Sequence, residues 1–240
     1  MTAIHDSEFK FSMAEEKAYL NAKDFEDIPG SAHAHSTSTS LKVLDVEVGK
    51  DVWLGAFAPI KLVTAGGYLA VRYLKNREST GDLDYLIEPE FAGDADIKSA
   101  LDKVVISVAR RLDYPKDWLN EAMAIFVTRD ARGVLFERAK KQGITLFDGE
   151  NLQILAAPIE WALERKLRRI YNGNRDRKAV LDMGDAIALL KYMRERNKGP
   201  LDLESIRTMN LNGFDVVPDH ATMQRVADEY RRTCNEDIFQ

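Results

Sequence analysis

Asp82 and Asp84 stand two residues apart in Asp82-Leu-Asp-Tyr-Leu-Ile87, a run that alternates charged with apolar residues and then becomes wholly apolar. That pattern predicts a strand, on which positions i and i+2 share a face, so both carboxylates project together while Leu83 points the other way. Two anions that close repel each other unless a cation joins them. A divalent ion such as Mg²⁺ does this, because it takes hard carboxylate oxygens. The chemistry such a site supports is phosphoryl or nucleotidyl transfer, where bound metal stabilises the attacking and leaving oxygens. Spacing alone does not establish it: 22 aspartates in 240 residues give about two Asp-x-Asp pairs by chance. Asp94-Ala-Asp96, at the start of a predicted helix, has the plain explanation of an acidic cap.

The surroundings of Asp82 and Asp84 set them apart. Lys61-Leu-Val-Thr-Ala65 is a β-rich run that ends at Gly66-Gly67, and helix spacing follows over residues 68–75. A strand–turn–helix with two glycines in the turn lets backbone N–H groups approach a phosphate. Arg77, Ser79 and Thr80 then lead into the acids.

On residues 63–86 the chain resembles the nucleotidyltransferase fold, with its Gly-Gly or Gly-Ser turn, helix and Asp-x-Asp strand. The Arg-x-x-Thr-x-Asp-x-Asp rhythm is most similar to AbiEii-type and related stand-alone nucleotidyltransferase-like proteins of toxin–antitoxin systems. Residues 155–187 add a weaker similarity, a strand and a helix bearing Lys166 followed by an Arg-Asp helix. The resemblance implies a transferase that moves a nucleoside monophosphate from an NTP to an acceptor hydroxyl on a protein, an RNA or a small molecule. Asp82 and Asp84 would hold Mg²⁺ or Mn²⁺, Gly66 and Gly67 would cradle the phosphates, and Arg77 with Thr80 would orient the turn or the triphosphate. Active members usually place a third carboxylate on a later strand; Asp148 is the main candidate, and Glu137, on a predicted helix, is the other. Without one, the fold would serve as a nucleotide-binding or protein-interaction module. Lys166 and Arg175 could meet the triphosphate or belong to a solvated charged helix face, and both readings stay open.

The elements that must position these residues are α+β. Ile97, Leu101, Val104, Val105, Val108 and Leu112 predict an amphipathic helix, and Trp118, Leu119, Ala122, Ile125 and Phe126 predict a second after Pro115. Residues 144–147 and 152–155 are β-like runs around Asp148-Gly-Glu-Asn151, a hairpin signal. Helices are predicted over 159–171, 179–196, 203–209 and 221–233. The expected fold is a small mixed β-sheet of nucleotidyltransferase type flanked by helices, with a C-terminal helical extension. Residues 1–40 are expected to be a flexible segment with a short helix near 14–27 and a small, polar linker over 30–40. An α/β core is expected over 41–157, and helices packed on it over 158–240.

Composition limits the function. The chain is 45% hydrophobic and 30% charged, with a net charge of −5, so no global positive field attracts nucleic acid. Cys234 is the lone cysteine, which excludes a disulfide framework or a multi-cysteine zinc site. No run approaches the roughly 20 apolar residues a bilayer requires, and residues 1–27 lack the pattern of a secretory signal. A cytoplasmic protein without a membrane partner is expected.

Overall fold

The computed structural model describes residues 32–173, 177–211 and 216–240; the helix expected over 14–27 and Arg175 lie outside them. Helix α1 (Ala32–Lys50) buries Leu41, Leu44 and Val48 completely, a stripe three to four residues apart. It runs through most of the stretch expected to be a linker, and Ser40 is fully buried. Once Leu41 to Val48 are anchored, extending a helix through Ser, Thr and Ala costs little per residue, so packing overrides the polar composition.

After α2 (Val52–Ala56), strand β1 (Ile60–Thr64) runs into α3 (Gly67–Leu69) and a π-helical turn (Ala70–Leu74). Residues 82–87 form not one strand but two, β2 (Leu83–Asp84) and β3 (Leu86–Ile87), which join different sheets. Then come α4 (Ala95–Leu112), β4 (Leu119–Asn120), a 3₁₀ turn (Ala122–Phe126), α5 (Arg129–Gln142), β5 (Thr145–Asp148) and β6 (Leu152–Ala156). The rest of the described chain is helical: α6 (Ile159–Tyr171), α7 (Arg177–Asn197), α8 (Leu203–Arg207) and α9 (His220–Cys234).

The helix expected over residues 118–126 is therefore a strand followed by a 3₁₀ turn. Pairing decides it. The Leu83 N–H donates to the Trp118 carbonyl and the Tyr85 N–H to the Asn120 carbonyl, which draws this segment alongside β2 in parallel register. Glu121 anchors the start of the 3₁₀ turn: its carboxylate meets Arg132 at 2.6 Å and Lys98 at 2.8 Å, and accepts from the Ile87 N–H.

The main sheet has strand order β3-β1-β6-β5, with β1 parallel to β6 and the outer pairs antiparallel. Most positions of β1 and β6 are buried on both faces, as expected for central strands covered by helices. α1 packs on α4, and α6 on α7 and α9, within one unit spanning Ser31–Gln240. The chain is thus α+β with a small mixed sheet. No helix among the described residues is long and apolar enough to cross a membrane.

Candidate functional site

Gly66 stands at the end of β1 and Asp84 at the end of β2, and the two face each other. A Cβ built on Gly66 would sit 3.8 Å from Asp84 Oδ2. Within β2 Leu83 is buried and Asp84 half-buried, whereas Asp82, expected on the same strand, lies exposed just before it, because the pairing with β4 begins at Leu83. Burial raises the pKa of Asp84 from its ordinary value, and the charge of Asp82 adds to the rise; Arg165, a side-chain hydrogen bond from Asn120, and Arg169 oppose it.

Gly67 has a packing role. A Cβ there would come within 2.8 Å of Thr80 Cβ, and Thr80 Oγ1 in turn donates to the Asp82 carbonyl at 2.9 Å. Thr80 thereby bridges the glycine turn and the acids. Gly67→Ala is expected to cost about 1–3 kcal/mol by overpacking, whereas Gly66→Ala, whose methyl meets only ordinary contact, should cost under about 1 kcal/mol. Denaturant melts of the two variants check this, and equal losses would remove the assigned difference.

Arg77 lies against the turn, its Nη1 3.6 Å from a Cβ built on Gly67, while its other two nitrogens are committed to an acid. Its Nε and Nη2 donate to Asp185 at 2.7 and 2.5 Å, and Asn76 adds a 3.0 Å hydrogen bond to the same carboxylate. Lys166 is likewise engaged: it is buried, with Nζ 2.6 Å from Asp185 and 2.8 Å from Asp182. The expectation that Lys166 reaches a triphosphate is corrected by its position on α6, where Leu163, Leu167 and Ile170 share its buried side and α7 supplies both acids. Its ammonium is a buried tie between the two helices.

Asp148 does not join Asp82 and Asp84. It pairs with Gln153, which pairs with Lys61, five residues before Gly66. At about 3.3 Å per residue this places it roughly 15 Å along the sheet, toward the opposite end. It accepts from the Gln153 side chain at 2.9 Å and opens a plain hairpin turn. Asp45 of α1 caps that turn by accepting from the N–H groups of Glu150, Asn151 and Leu152. Glu137 is exposed on α5 and pairs with Lys140. Among the described residues no three His, Cys, Asp or Glu side chains gather as a metal-binding group.

The residue that sequence reading missed is Arg165. It lies one helical turn from Trp161, and its guanidinium sits 5.0 Å from the Trp161 ring centre and 5.5 Å from that of Phe126. The signal was present as Trp161, Arg165 and Arg169 at i, i+4 and i+8, one face of α6. Recognising it required knowing that this face turns toward Asp84, whose charge both arginines feel. The comparisons with known proteins add no relative: no family model, curated protein or solved structure matches the chain.

Proposed function

We propose that the chain is a metal-dependent nucleotidyltransferase, and that the phosphates of an NTP bind over the rim where Gly66 meets the Asp82/Asp84 pair. The observation that carries this reading is the approach of Gly66 to Asp84 Oδ2, which joins a side-chain-free turn to a paired acid across 18 residues of sequence. The two carboxylates fit a divalent cation such as Mg²⁺ or Mn²⁺ in chemistry: hard oxygens, one exposed and one half-buried beside a like charge that a cation would offset. When bound, such an ion supplies charge neutralisation at the phosphates and polarises the bond that breaks. The protein's part is to position: the Gly66 turn brings backbone close, Thr80 holds turn and acids together, and the acids orient the phosphates through the ion. The acceptor hydroxyl would come from outside the chain.

A second reading, a nucleotide-binding or interaction module without transfer, is favoured by the ion pairs that hold Lys166 and Arg77 on Asp182 and Asp185. Calorimetry with ATP, with and without Mg²⁺, on the wild type and an Asp82→Asn/Asp84→Asn variant tests the shared part. Mg²⁺ should strengthen binding at least about tenfold in the wild type and leave the variant unchanged. Equal affinity in all four titrations, or none in any, removes the role given to the acids. Transfer of label from α-³²P-ATP to an acceptor separates enzyme from module.

A further inference from the structure

Beside the paired acids lies an arginine that its surroundings satisfy only in part. Burial and the neighbouring Arg169 pull the pKa of Arg165 down to about 10, which still leaves it charged at neutral pH. The rings of Trp161 and Phe126 compensate the charge through their faces, but ring faces accept none of the in-plane N–H donors. Nη1 of Arg165 is buried and has no hydrogen-bond partner among the described residues. Three carboxylates lie within electrostatic reach: Asp84, Asp182 and Glu164. Asp182 is engaged by Lys166 at 2.8 Å and Arg169 at 2.9 Å. Glu164 is engaged by Arg168 at 2.8 Å and by the Leu211 N–H at 2.7 Å. Asp84 is then the counter-charge that Arg165 shares with the candidate site.

We propose that Arg165 is the phosphate-reading residue of the chain, its guanidinium fork donating to polyphosphate oxygens that arrive with a divalent cation on Asp82 and Asp84. The assignment rests on the nucleotide reading above and replaces Lys166 in the part that the sequence suggested. Its logic is charge balance. A cation that occupies Asp84 withdraws the counter-charge of Arg165, and a phosphate beside this half-buried side chain restores it, offsetting the standing cost of a charged group whose buried Nη1 has no acceptor among the described residues. A planar fork suits two phosphate oxygens as a lysine ammonium does not. The fully buried ring of Trp161 and the half-exposed ring of Phe126 hold the guanidinium before any ligand arrives, so little ordering cost falls on binding. Cation and polyphosphate therefore bind cooperatively, and by linkage each strengthens the other equally.

Full-length wild type, Arg165→Lys and Arg165→Met are titrated with ATP and with inorganic tripolyphosphate, each in Mg²⁺ and in EDTA, with a thermal melt of every variant. In Mg²⁺, Arg165→Lys should weaken both ligands at least about tenfold and Arg165→Met further, and the enhancement by Mg²⁺ should shrink. Arg165→Lys keeps the charge, so it decides the matter if the Met variant fails to fold. Unchanged affinities in a folded Arg165→Lys protein overturn this assignment alone. Weaker ATP with unchanged tripolyphosphate overturns it too, because the contact would then be to nucleoside. A wild type that binds neither ligand overturns it together with the nucleotide reading.

Discussion

Asp185→Ala is expected to lower the unfolding free energy by about 3–5 kcal/mol, the usual loss when one partner of a buried ion pair is deleted. The Asp185 side chain is 2% exposed and accepts from Arg77 through two nitrogens, from Asn76 and from Lys166. Removing it leaves Arg77, only 14% exposed, without the acid that fixes it, and leaves Lys166, 4% exposed, with Asp182 alone. For a chain of this size each kcal/mol lowers Tm by roughly 2–4 °C, so the variant should melt about 6–20 °C below the wild type. Asp182→Ala should cost less, because Lys166 retains Asp185 and Arg169 is already half exposed. Joint replacement by Lys166→Met and Asp185→Leu should recover part of the loss, since apolar pairs of similar volume avoid stranding a charge. Chemical melts of the wild type and these variants, followed by circular dichroism, give the differences. A loss under about 1 kcal/mol for Asp185→Ala, the size of an ordinary surface change, would show that the network does not tie α6 and α7 to the segment after the glycine turn.

That network also marks where sequence reading reached its limit. The approach of the Gly66 turn to Asp84 was legible because both lie close in sequence and follow from short-range rules: glycine permits approach, and alternation turns Asp84 away from buried Leu83, although Asp82 falls just outside the strand. The helices from Ala95, Ile159, Arg177 and His220 were legible because each carries an apolar stripe, and the hairpin because Asp148-Gly149 opens a turn. Residues 118–126 were misread because Leu119, Ala122 and Phe126 have helix spacing, while the pairing that overrides it comes from β2, far back in the chain. Lys166 against Arg165 is the sharper case. Both are cations on one helix, a single position apart and thus about 100° around its axis, and only the packing of α7 determines which of them is locked on acids and which faces Asp84.

Asp84 offers a test in which stability and function move in opposite directions. Burial and Asp82 raise its pKa in the folded protein above that of the unfolded chain, so the unfolded state releases the proton at lower pH and ionisation works against folding. The sign is therefore the reverse of a salt-bridged acid. Below the unfolded value both states are protonated and nothing is lost; as pH rises through the two values the cost grows, and above the folded value it stays at its full size. Asp84→Asn removes a charge that the site disfavours, so in EDTA the variant should be more stable than the wild type at pH 7 and melt at a higher temperature. The gap should close as pH falls below the ordinary carboxylate range. Added Mg²⁺ should reverse the order: binding to the folded wild type alone stabilises it by about 2.7 kcal/mol at a hundredfold excess over Kd, while the variant gains little. Differential scanning calorimetry from pH 3 to 8, in EDTA and in Mg²⁺, reads both effects from one pair of proteins. If Asp84→Asn is less stable at pH 7 in EDTA, the carboxylate is held by partners that outweigh its burial and belongs to the scaffold. If the two proteins respond to Mg²⁺ alike, the ion binds elsewhere, and the acid loses the place assigned to it beside Gly66.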